Sequence, residues 1–125
     1  MLDFSNIGGI VIYTSNLEMA LTFYTKVLGL TLIESEPGFA TLKTNHLNLY
    51  LHHGDNLPRK SAEISKLPQV SFKVEDIDAA FQYLQKAKVK ITRGIVEYNP
   101  TTYVFNFQDP DGNSLACESE TRKQE

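Results

Sequence analysis

The chain has no tryptophan and a single cysteine, Cys117. One cysteine excludes an internal disulfide and fits a reducing compartment. Basic residues are not in excess either: twelve Lys and Arg face fifteen Asp and Glu, for a net charge of −3. That balance gives no electrostatic reason to expect nucleic acid as a partner. No apolar run approaches the length of a membrane span. The opening MLDFSNIGG lacks a basic stretch followed by an apolar one, so no signal peptide is expected. There is no glycine-rich phosphate loop, no CxxC and no Ser-His-Asp order. The expectation is a cytoplasmic protein without membrane or nucleic-acid partners. Its 125 residues, 42% hydrophobic, suffice for one domain with a real core.

What the sequence does have is an echo of itself. The stretch from Gly9 to Leu30, GIVIYTSNLEMALTFYTKVLGL, reads as a strand, a capped helix and a glycine stop. Slid by 60 positions, its first part falls without a gap on Gln69 to Leu84, QVSFKVEDIDAAFQYL. Ile10 and Ile12 then match Val70 and Phe72, Asn16 matches Asp76, and Ala20 matches Ala80. A long period used only twice indicates a duplicated module rather than a solenoid.

In order, Ile7 to Thr14 alternate and are β-branched, which predicts a strand. Asn16 is placed to cap a helix, because its side-chain oxygen can accept an unpaired N–H of the first turn. Leu17, Ala20, Leu21, Tyr24, Val27 and Leu28 recur at helical spacing, and Gly29 suits the left-handed stop. Strands are expected over 30–35, 39–44 and 47–53, separated by the Pro37-Gly38 and Asn45-His46 turns. The polar stretch Gly54 to Pro68 is the expected linker. The second copy repeats the pattern: a strand from Gln69, a helix capped by Asp76, then strands over 90–96, 102–108 and 113–118. A bulge is expected at Gly94, a turn at Asp109-Pro110-Asp111-Gly112, and a frayed tail from Ser119. The order is strand, helix, three strands, performed twice. The module boundaries are about 7–53 and 69–118 within one domain, 1–125.

FYTKVLGL (Phe23 to Leu30), VEDIDAAF (Val74 to Phe81) and FQDPDGN (Phe107 to Asn113), on this duplicated frame, resemble the glyoxalase / bleomycin-resistance / extradiol-dioxygenase superfamily, also called the vicinal oxygen chelate superfamily. The resemblance covers about residues 7 to 118. It implies an α+β fold: two tandem βαβββ modules forming a half-open mixed β-sheet barrel with helices outside, often as a homodimer. The frame hosts lyases, dioxygenases, transferases and non-catalytic drug binders, so function lies in the site.

Metal-using members of that superfamily place His, Gln or Glu at four inner strand positions. Matched by motif, those positions hold Gly9, Asn48, Gln69 and Ala116. Gly9 and Ala116 carry no donor atom, and the two amides are weak ligands for a divalent ion. Catalytic metal sites want about three imidazole, thiolate or carboxylate groups. No metal and no cofactor are therefore expected.

The remaining inward positions are aromatic, amide and hydroxyl in character. Tyr13, Asn48, Tyr50, His52, Gln69, Ser71 and Asn106 form the expected ligand-binding set, with Val11, Thr41, Lys73 and Val104 beside them. His46 and His53 read as solvated turn and strand-end residues. His52 shares the face of Asn48 and Tyr50 and is the candidate base. Glu118 shares the face of Ala116 and is the second catalytic candidate, paired with His52 or supplying a metal ligand. Cys117 reads as inert core, and Asp109 and Asp111 as turn residues. The first reading is metal-independent capture of a medium-sized, partly polar organic molecule. The alternative is a lyase, isomerase or dioxygenase-like enzyme for a small carbonyl or aromatic compound, using a relocated metal or a His52 base.

Overall fold

The computed structural model of the chain describes residues 2–54, 68–120 and 122. It divides into two compact units, Met1–Pro58 and Arg59–Glu125. Among the described residues, each unit is a four-stranded mixed sheet with one helical segment. The α+β class and the twofold strand–helix–three-strand order are those expected from the sequence. Most of the expected linker, residues 55–67, lies outside the described residues.

The first unit contains β1 (Gly9–Thr14), α1 (Leu17–Thr22), β2 (Thr31–Glu36), β3 (Phe39–Lys43) and β4 (Asn48–His53). Its strands lie in the order β1-β4-β3-β2. β1 runs parallel to β4, and the other pairs are antiparallel. A parallel pair needs a long crossover, which the helix and the β2–β3 hairpin supply. Alternation divides the sheet into two faces. Ile12, Ala40, Leu42, Leu49 and Leu51 are buried on the helix side, against Ala20, Phe23 and Tyr24. Gly9, Val11, Tyr13, Phe39, Thr41, Asn48, Tyr50 and His52 occupy the opposite, open face.

Asn16 caps α1 as expected, accepting from the Met19 N–H at 3.0 Å. The helix does not continue regularly to Leu28. From Phe23 to Val27 it widens into a π turn, with Leu28 N–H donating to Phe23 O at 3.0 Å. Phe23 and Tyr24 at the start of that turn are both buried, although Phe23 lies off the stripe expected from the sequence. The duplication explains the widening. Asn16 and Asp76 stand 60 positions apart, but the two helix stops, Gly29 and Lys88, stand 59 apart. The first helix carries one more residue than the second, and a π turn absorbs it without moving either end.

The second unit contains β5 (Val70–Lys73), α2 (Ile77–Lys86), β6 (Ile91–Asn99), β7 (Thr102–Gln108) and β8 (Ser114–Ser119). Its order, β5-β8-β7-β6, repeats the first sheet, again with one parallel pair. Phe105, Phe107, Leu115 and Cys117 are buried on the helix side. Phe81 of α2 meets Phe105 edge-on at 5.2 Å between ring centroids. β6 runs three residues past its expected end at Val96. Its register with β7 shifts three times, between Ile91 and Arg93, between Arg93 and Val96, and between Glu97 and Asn99; the expected bulge site Gly94 falls in the second interval.

Two local motifs hold the ends of this unit. Asp109 accepts from the N–H groups of Asp111 and Asn113 at 2.9 Å, and from the Asn113 side-chain amide at 2.9 Å. The acidic pair is thus turn chemistry, as the sequence implied. The tail departs from its expected fraying at one point. Arg122 donates to both carboxylate oxygens of Asp78, at 3.2–3.3 Å. Asp78 is buried in the first turn of α2, and a buried carboxylate needs such a partner.

Candidate functional site

On the open face of the first sheet, four rings form a continuous string. Tyr13 and His52 lie 5.5 Å apart by ring centroid, His52 and Phe39 5.7 Å, and Phe39 and Tyr50 5.8 Å. The register accounts for it. Tyr13 pairs with His52 across β1 and β4, and His52 with Phe39 across β4 and β3. Tyr13 is 46% exposed and Val11 beside it 50%, so the face presents aromatic surface to solvent. Phe39 was not among the residues singled out from the sequence. Its signal was available: it alternates with Thr41, which was placed on this face.

The His52 ring is oriented by its neighbour. Its Nδ1 lies 2.8 Å from the carbonyl oxygen of His53. A carbonyl only accepts, so Nδ1 carries the proton, and in the neutral ring Nε2 carries the lone pair. His53 and His46 are exposed, as expected for strand-end and turn residues.

Both tyrosines lie against glycine. A Cβ on Gly54 would stand 2.9 Å from Cδ1 of Tyr13. A Cβ on Gly9 would stand 2.6 Å from the Asn48 carbonyl oxygen and 3.0 Å from Cζ of Tyr50, with Cε2 of that ring nearer still. The Tyr50 ring thus fills the space in which a side chain at position 9 would begin.

On the open face of the second sheet, Ser71 Oγ donates to Glu118 Oε1 at 2.7 Å. The Asn106 amide donates to Gln69 Oε1 at 3.3 Å. The second bond spans from β7 to the residue preceding β5, past β8. Ala116 pairs in register with both Ser71 and Asn106, so it sits between the two bonds and is only 6% exposed. The four predicted residues of this unit, Gln69, Ser71, Asn106 and Glu118, do come together on one face. The contact found for Glu118 is with Ser71.

The chain matches the model of the Glyoxalase/Bleomycin resistance protein/Dioxygenase superfamily over residues 6–116. It belongs to that superfamily. Solved structures agree on the fold. A lactoylglutathione lyase from Agrobacterium tumefaciens is 21% identical, with 92% of this chain and 93% of that one covered and a TM-score of 0.74. A glyoxalase-family protein from Bacillus anthracis is 19% identical over 97% and 100% of the two chains, with a TM-score of 0.78. A glyoxalase/bleomycin resistance protein/dioxygenase from Nocardioides is 19% identical over 100% and 89%, with a TM-score of 0.79. No curated protein matches the sequence.

Among the described residues, the four positions matched by motif to the superfamily's metal ligands do not fit a divalent ion. Gly9 and Ala116 have no donor, and each position is closed over, one by the Tyr50 ring and the other by the bonds flanking it. Among the described residues, no three His, Cys, Asp or Glu side chains gather closely enough to hold an ion. The relocated metal considered for His52 and Glu118 lacks a third such ligand beside either residue among the described ones. Cys117 offers no thiolate, since burial pushes its pKa from 9.0 up to about 12. Among the described residues, no helix is long and apolar enough to cross a membrane.

Proposed function

We propose that this protein is a metal-independent binder of small organic molecules. The ligand is held against the open face of the first sheet by Tyr13, Phe39, Tyr50 and His52, with Asn48 for polar contact. The observation that carries this reading is the string of four rings on a solvent-facing sheet. Aromatic surface left open to solvent is costly unless something covers it, and ring stacking suits a planar organic molecule. The second sheet's Gln69, Ser71 and Asn106 form an amide and hydroxyl surface of their own unit. The protein is a cytoplasmic homodimer in this reading. Native mass spectrometry of protein purified without chelator tests it: the expected spectrum is a dimer with far less than one metal per chain. One tightly held Zn, Fe, Ni or Mn per chain would overturn it.

A second reading is supported by the fixed tautomer of His52. With Nδ1–H committed to the His53 carbonyl, Nε2 is a candidate base for a metal-free isomerase or lyase acting on a small carbonyl compound. Turnover of such a compound that survived His52→Ala unchanged would exclude it.

A further inference from the structure

The ring face has an acidic border. In an antiparallel pair, residues opposite one another share a face. Glu36 pairs with Phe39 and Glu34 with Thr41, whereas Ser35 pairs with the fully buried Ala40. Both glutamates therefore stand on the open side, beside the rings, and both are exposed. Among the described residues neither takes part in an ion pair. Among the described residues of this unit one lysine shares this face, Lys43, which pairs with Asn48 at the end away from Phe39, four residues along β3 and about 13 Å from it.

Resting on the binding role above, we infer that the ligand of this face is an aromatic or alkyl organic cation. Two independent features converge on that chemistry. Electron-rich ring faces such as those of Tyr13, Phe39 and Tyr50 attract a cation that stands within about 6 Å of their centroids, and Phe39 and Tyr50, 5.8 Å apart, let one cationic group touch two. The unpaired carboxylates at the border supply the opposite charge at longer range. An anionic ligand would meet the same two features as repulsion. The arrangement thus selects by charge as well as by shape, and it does so without any metal.

The test titrates three one-ring probes into the full-length, isotope-labelled protein and follows backbone amide shifts of β1, β3 and β4. The probes are benzyltrimethylammonium, benzyl alcohol and phenylacetate. The cation should bind at least about tenfold more tightly than the alcohol, with phenylacetate weakest. Glu34→Gln with Glu36→Gln should remove most of the cation's advantage and leave benzyl alcohol unchanged. About 500 mM salt should have a similar effect. Both positions are exposed on an edge strand, so the double variant should fold, and its amide spectrum verifies this; Glu36→Gln alone should act in the same direction. Equal binding of cation and alcohol, or a preference that survives the double substitution, would overturn the cation inference while leaving the binding role intact. If none of the three probes shifts this face, both fall.

Discussion

The Tyr50 ring lies over Gly9, so closely that a Cβ at position 9 would meet ring carbons of Tyr50 and stand 2.6 Å from the carbonyl of Asn48. The backbone oxygen cannot move without disturbing the β1–β4 register, in which Gly9 pairs with Asn48. Gly9→Ala should therefore destabilise the protein by about 1–3 kcal/mol, the usual cost of overpacking. Tyr50→Ala should relieve only the ring's share of the clash. In a double-mutant cycle followed by urea denaturation, the two substitutions should couple by about 0.5–2 kcal/mol. Gly9→His should not bring in a metal, because the imidazole would have to displace the ring first. Strictly additive effects would mean that the ring moves aside freely.

The helix stops invite a different substitution. α2 ends in a Schellman arrangement: Val89 N–H donates to Leu84 O and Lys88 N–H to Gln85 O, both at 3.0 Å. Lys88 carries the left-handed conformation this requires, at φ 61°, where the first module has Gly29 at φ 78°. A lysine in that region pays a steric cost that glycine avoids. Lys88→Gly should raise stability by about 0.5–1 kcal/mol, and Gly29→Ala should lower it by about 1 kcal/mol. Thermal unfolding of the two variants would register shifts of opposite sign.

Much of this architecture was legible because the chain states it twice. Asn16 and Asp76 read as caps by chemistry alone, and both accept from the third residue on. The alternation in β4 separated Leu49 and Leu51 from Tyr50 and His52 correctly, since period two leaves no other choice. The π turn was not legible. Its only trace is the one-residue difference in spacing between cap and stop. Phe39 follows the Pro37-Gly38 turn, where the sequence marks the start of a strand without declaring its face. The acidic border required strand pairing: nothing in ESEPGF says that Glu36 faces the same side as Tyr50. The Asp78–Arg122 pair joins residues 44 apart, a distance no local pattern spans.

Cys117 links stability to alkaline pH. It is 5% exposed on β8, and burial lifts its pKa from 9.0 in the open chain to about 12. The sign follows from which state loses its proton first. Below pH 9 the thiol is protonated in both states and contributes no pH dependence. Above pH 9 the unfolded chain ionises while the folded protein still holds the neutral thiol, so unfolding is favoured and stability falls with rising pH until about 12. From this residue alone the loss between about pH 8 and 10 should be about 1 kcal/mol. Cys117→Ala carries a constant packing cost but no ionisable group. Its stability should therefore decline less steeply over that interval than that of the unaltered protein, as read from urea midpoints at each pH. Parallel curves would show that the thiol is not held neutral. Modification of Cys117 by a disulfide reagent at about pH 8 should likewise be slow and should accelerate only as urea unfolds the chain, because the thiolate is the reactive form.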